Sequence, residues 1–195
     1  MGIHAQEKHA YIEGKSFNFN LNFRLNYNIF IDDKLTTIGI EIDKIYYELI
    51  DGTVVTIKII DTAGQEKFRS QSKSFYGRVD ACILVYDVTN RASFENCNNF
   101  ISIIEEMCKK DILVMLLGNK CDLENCREVT EEEGSKFSKL HGFLFYEISC
   151  KENINVFQSF SKLIEICESE FEDFDKNIIT LNAKHKKNDK KTCCK

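Results

Sequence analysis

The sequence predicts an α/β fold in which a mostly parallel sheet carries helices on both faces. Three stretches predict it. Residues 81–88, Ala-Cys-Ile-Leu-Val-Tyr-Asp-Val, form a nearly continuous apolar run, the pattern of a strand covered on both sides. Residues 92–107 follow with apolar side chains at Phe94, Cys97, Phe100, Ile101, Ile104 and Met107, a helical stripe. Residues 112–117 are then the next buried strand. Asp51-Gly52 is in addition a hairpin signal between runs at 40–50 and 54–60, which are therefore expected to be antiparallel neighbours.

Bulk properties narrow the class. A chain of 195 residues suits one domain with a single core. A net charge of -5 argues against nucleic acid as the partner, because phosphate backbones call for a basic face. No stretch reads as a signal peptide, and no apolar run reaches membrane-spanning length. Nine cysteines without paired C-x-x-C spacing fit reduced thiols better than a disulfide framework. Cys82, Cys108 and Cys167 are expected to act as small apolar residues.

The opening segment is irregular. Residues 3–10 are too polar to be expected as a buried central strand. Gly14-Lys15-Ser16 matches the end of the phosphate-binding pattern G-x-x-x-x-G-K-[ST], but its first glycine would fall at His9. In such a loop Lys15 pairs with phosphates and the Ser16 hydroxyl reaches Mg²⁺; the other reading is a chance Gly-Lys-Ser in a polar segment. Phe17 to Phe23 alternates with period two, a strand pattern where a phosphate-loop helix would be required. Two accounts stay open: a divergent opening segment, or an erroneous coding sequence in which unrelated residues replace the first strand.

Residues 54–60 are rich in β-branched side chains and lead into Asp61-Thr62-Ala63-Gly64-Gln65-Glu66. An acid at the carboxyl end of a strand sits where open α/β sheets bind ligands, and Asp61 can hold Mg²⁺ there through water. Gly64 lets a backbone N–H approach a phosphate, and Gln65 offers the donor and acceptor needed to orient an attacking water. The buried strand at 112–117 ends in Gly118-Asn119-Lys120-Cys121-Asp122. The Asp122 carboxylate can accept from the N1–H and 2-amino group of guanine, a donor pair that adenine lacks. Asn119 would brace this loop, and the Lys120 stem would cover the face of the ring. A last strand at 143–148 runs into Ser149-Cys150-Lys151, and a final amphipathic helix is expected over 155–171 with Phe157, Phe160, Ile164, Cys167 and Phe171 on its inner face.

Residues 61–66, 119–122 and 147–151 together resemble the Ras-like small GTPases. Leu35 to Ile42 resembles switch I of their Rab branch, and Lys67–Ser70 with Ser74–Arg78 resembles its switch II. The resemblance covers roughly residues 34–172, with a divergent segment at 1–33 and a basic tail at 173–195. It implies a P-loop GTPase fold with a six-stranded sheet. It also implies GTP and GDP as ligands and Mg²⁺ held by Ser16, Thr37 and Asp61. Nucleotide contacts would come from Lys15, Ser16, Thr37, Asp61, Gly64, Asn119, Lys120, Asp122, Ser149, Cys150 and Lys151, with Gln65 as the catalytic residue. Cys150 stands where the family usually has alanine, in a loop whose backbone N–H is expected to meet the guanine oxygen.

Implied partners are an exchange factor, a GTPase-activating protein and effectors on a monomeric switch in vesicle-mediated transport. Phe68, Phe75 and Tyr76 would offer the effectors an aromatic surface. The tail carries Lys184, Lys186, Lys187, Lys190 and Lys191 before Cys193-Cys194, which resembles a double prenylation site. Two lipid chains and a polybasic segment would tether the chain to the cytoplasmic face of a membrane after handling by the prenylation machinery. The incomplete pattern at His9 leaves another expectation open, a non-catalytic interaction module with vestigial switches.

Overall fold

The computed structural model describes residues 7–13, 40–49, 52, 54–62, 79–108 and 112–167, with the backbone alone at 7–13, 40–43, 61–62 and 107. Its elements run β1 (Glu7–Glu13), β2 (Ile40–Glu48), β3 (Val54–Thr62), β4 (Ala81–Asp87), α1 (Arg91–Glu95), α2 (Cys97–Met107), β5 (Leu113–Asn119), α3 (Glu131–His141) and β6 (Leu144–Ile148). A closing helix, α4, spans 156–167. The six strands make one sheet in the order β2-β3-β1-β4-β5-β6. Only β2 runs against its neighbour, pairing Ile40 with Thr62 at one end and Glu48 with Val54 at the other. The hairpin between them closes as the Asp-Gly signal predicts. Gly52 sits at φ 82, a left-handed conformation open to glycine, and its N–H donates to the Leu49 carbonyl at 2.9 Å.

The polar opening segment is the main departure from expectation. Glu7–Glu13 is the central strand: Glu7 to Ile12 pair with β3, and Ala10 to Glu13 pair with β4. Without it, β3 and β4 would each present a row of unpaired backbone groups in the middle of the molecule. The ladder is a main-chain property, so a run of poor apolar content can complete it. The alternating stretch at 17–23 lies outside the described residues.

Alternation along β4 divides the core in two. Ala81, Ile83 and Val85 face one side, where Val156, Phe160, Leu163, Ile164 and Cys167 of α4 cover them. Cys82, Leu84 and Tyr86 face the other, under Cys97, Phe100, Ile101 and Ile104 of α2. Both faces of β4 are thus buried, as a continuous apolar strand requires. Two helical details differ from the periodicity. The stripe over 92–107 is split at Asn96, where the chain ends α1 and restarts as α2, and Asn90 caps α1 by accepting from the Ser93 N–H. On α4 the inner face is Val156, Phe160, Leu163, Ile164 and Cys167, at true helical spacing. Phe157 lies one position off that stripe and is 62% exposed, with its ring 6.1 Å from Tyr47 of β2. Phe171 lies outside the described residues.

Seven cysteines fall among the described residues and all are free thiols. Cys82, Cys97, Cys150 and Cys167 are buried, whereas Cys108 is half-buried against the α2 side of the core.

Candidate functional site

Parallel register brings the carboxyl ends of three strands to one edge. Asp87 of β4 lies opposite Asn119 of β5, and Asn119 lies opposite Ile148 of β6. Asp61, one residue from the carboxyl end of β3, pairs with Ile12 of β1, and that register leads to Ile83 and Met115, four residues before Asp87 and Asn119 on their strands. Open parallel sheets bind ligands just beyond such an edge, where loops leave the strands.

Asn119 is the hub of the loops at this edge. Its side chain is buried, and Oδ1 accepts from the Lys120 N–H at 2.8 Å and from the Cys150 N–H at 3.2 Å. One amide oxygen therefore fixes the loop after β5 to the loop after β6, the bracing role expected from the sequence. Lys120 is held at φ 68, a conformation that costs a non-glycine residue roughly 1 kcal/mol. Its ammonium reaches the buried carboxylate of Asp87, Nζ to Oδ2 at 2.9 Å. The other Asp87 oxygen accepts from the Thr89 N–H at 2.9 Å and from the Thr89 hydroxyl at 2.7 Å. Asp87 thereby anchors the Lys120 ammonium at the end of β4.

Asp122 stands out against this saturated network. Its Oδ1 is buried and has no hydrogen-bond partner. A buried acceptor without a donor is costly, so N–H groups brought by a ligand would stabilise this oxygen. The guanine edge, with two adjacent donors, fits that demand. Ser149 is fully buried: its Oγ accepts from the Glu152 N–H at 3.0 Å, and its backbone exchanges two bonds with Ile154. The Cys150 N–H, which the resemblance assigns to the base, already meets Asn119 at the long end of hydrogen-bonding distance. Lys151 is exposed at the rim. Burial and, after it, the Glu147 carboxylate push the Cys121 thiol above its ordinary range, so it stays protonated.

Sequence reasoning missed one support of the site. Arg127 and Glu147, 14% and 10% exposed, join the segment after Asp122 to β6 through two hydrogen bonds at 2.7 and 2.8 Å. The Glu147 carboxylate is the main cause holding the Arg127 guanidinium even more firmly charged than usual. The Asn155 side-chain amide then donates to the Glu147 carbonyl at 2.9 Å, which ties in the loop before α4. The only signal in the sequence was a charged residue at the last turn of an otherwise apolar strand.

The structure thus brings Asn119, Lys120, Asp122, Ser149 and Cys150 together. Of Asp61 only the backbone is described, at the end of β3. Lys15, Ser16, Thr37, Gly64, Gln65, Phe68, Phe75, Tyr76, Cys193 and Cys194 lie outside the described residues.

Comparison with known proteins agrees with this arrangement. Residues 13–169 match the model of the Ras family. Rab-8A of Bos taurus is 42% identical over 141 residues, which cover 72% of this chain and 68% of that protein. Rab-8A of Gallus gallus is 41% identical over the same length, and human Rab-8B is 41% identical over 143 residues, 73% of this chain and 69% of the relative. A sheet of this order, an unmet carboxylate oxygen at Asp122 and matches of this extent agree: the chain belongs to the Ras family of small GTPases, on its Rab branch.

Proposed function

We propose that this chain is a guanine-nucleotide switch that hydrolyses GTP to GDP and works from the cytoplasmic face of an intracellular membrane in vesicle-mediated transport. One observation carries the reading: the buried, unpartnered Oδ1 of Asp122 in a loop braced by Asn119. Guanine supplies the two donors that this oxygen lacks; adenine would leave it unpaired, so GTP is favoured over ATP.

The remaining roles follow the family resemblance. Lys15 pairs with the phosphates, and Gly64 presents a backbone N–H to the last of them. Ser16, Thr37 and Asp61 are an all-oxygen donor set of the kind that suits Mg²⁺, which when bound neutralises phosphate charge. Gln65 orients water for in-line attack. Without a supplied arginine, hydrolysis by such a site is slow, which gives a GTPase-activating partner its purpose. Thr37 and the segment after Gln65 change partners when the terminal phosphate leaves, and effectors read that change. Prenyl groups on Cys193 and Cys194 with the lysine-rich tail supply the two signals that stable membrane anchoring needs.

Binding of guanine nucleotides to the purified full-length chain, with adenine nucleotides in competition, tests the central claim. GDP is expected to bind and ADP to fail at a hundredfold excess, about 2.7 kcal/mol of discrimination. Asp122→Asn should move preference toward xanthine nucleotides, whose 2-oxo group presents an acceptor to the new amide. Equal competition by ADP would sink the proposal.

A further inference from the structure

The two halves of a nucleotide site are built unequally in this chain. The base half is complete in its bracing, with Asn119 joining two loops and Asp122 offering an unmet oxygen. The phosphate half depends on a loop between the two glycine positions of G-x-x-x-x-G-K-[ST], which fall at His9 and Gly14. That interval is not a loop here. His9 to Glu13 are all strand, and Glu13 is the last residue of β1.

The pairing decides what those residues can offer. His9 sits opposite Lys58 of β3, while Ala10, Tyr11 and Ile12 are flanked by β3 on one side and β4 on the other. In an interior parallel strand each N–H donates to one neighbour or the other, so none of these three is left over. A phosphate cradle needs successive N–H groups turned toward one point, which an extended ladder cannot provide. The family match begins at Glu13, so nearly all of β1 lies ahead of the matched residues.

We propose that this chain holds its nucleotide chiefly by the base, discriminates weakly among one, two and three phosphates, and therefore exchanges nucleotide quickly without an exchange factor. The proposal rests on the guanine reading above and adds its regulation. In the usual arrangement the phosphate grip makes release slow and reserves it for a catalyst. Here the described residues of that interval, His9 to Glu13, are committed to strand pairing, and the loaded state follows the surrounding GTP-to-GDP ratio. A GTPase-activating partner would then be the principal control.

The test is competition against a fluorescent GDP analogue on the full-length chain with Mg²⁺ present, followed by stopped-flow displacement. GMP is expected to bind within about tenfold of GDP, with micromolar rather than nanomolar constants. The analogue should leave within about a second, and chelating Mg²⁺ should alter that rate only slightly. A preference for GDP over GMP beyond about a hundredfold, or release over minutes, overturns the proposal while leaving guanine selectivity intact. Equal competition by ADP and GDP would instead refute the guanine reading itself, and the two failures are told apart in the same titration.

Discussion

Arg127 and Glu147 meet as a fork on a fork, Nη1 to Oε1 at 2.7 Å and Nη2 to Oε2 at 2.8 Å, with both side chains largely shielded from water. Arg127 also donates to the Val129 carbonyl and to Glu124, so the guanidinium gathers the whole segment between β5 and α3 onto β6. Truncation to Arg127→Ala would strand the Glu147 carboxylate in a poorly solvated place. A loss of about 3 kcal/mol is expected in urea unfolding. Arg127→Lys should recover less than half of it, since an ammonium cannot reproduce two parallel bonds. Full recovery by lysine would show that charge alone, not geometry, matters.

A second prediction concerns acid. Glu133 closes the capping box of α3: it accepts from the Thr130 N–H at 2.9 Å, while its own N–H donates to the Thr130 hydroxyl at 3.2 Å. It also receives the guanidinium of Arg91, at 2.6 and 3.1 Å. Arg91 first, and the Thr130 bonds after it, lower the Glu133 carboxyl from 4.5 to about 2. A folded-state value depressed below the unfolded one contributes stability that is complete above pH 4.5 and fades as pH falls toward 2. Glu133→Gln should therefore lower Tm at pH 7, and the difference from wild type should shrink between pH 4.5 and 2. A gap that stayed constant over that window would mean the charge contributes nothing.

Much of this architecture was legible because its signals are local. The runs that became β4 and β5 are apolar on both faces, so their burial could be read without knowing their neighbours. Asn119 and Asp122 were legible because they follow such a run directly. The central β1 was not: its pairing is a contract between backbones, and the side-chain pattern of Glu7–Glu13 gives no hint of two waiting partners. Phe157 misled for the opposite reason. Its size suggested burial, but Val156 beside it, a smaller residue at the right angle, takes the inner position. The Arg127–Glu147 pair spans 20 residues of sequence, and the lone charge in an apolar strand does not name its partner.

Tyr86 offers a test of packing against hydrogen bonding. It is fully buried with no partner for its hydroxyl, and burial drives that group well above the ordinary phenol range. Tyr86→Phe should be neutral or stabilising by up to about 1 kcal/mol, since it removes an unsatisfied polar atom. Gly134 faces the same hydroxyl: a Cβ there would lie 2.5 Å from it and 2.6 Å from Cζ of Phe145. Gly134→Ala gains helix propensity but overfills the core, for a net loss of about 1–2 kcal/mol. Combining it with Tyr86→Phe should rescue only part of that loss, because the Phe145 ring stays in the way. Complete rescue in thermal melts would show that the hydroxyl alone makes the contact tight.

The sharpest separation between folding and binding lies between Asn119 and Asp122, three positions apart on one loop. Asn119 spends its oxygen inside the protein, on Lys120 and Cys150. Asn119→Ala leaves two backbone donors without an acceptor and should destabilise the nucleotide-free chain by about 2–3 kcal/mol. The Oδ1 of Asp122 has no such internal use, so Asp122→Ala relieves a buried acceptor and should leave the same chain as stable as before, or about 1 kcal/mol more so. Guanine binding should fall in both variants, but only Asn119→Ala should lower Tm in protein stripped of nucleotide. The opposite pattern, a stripped Asp122→Ala that melts early, would mean that this carboxylate serves the fold rather than a base.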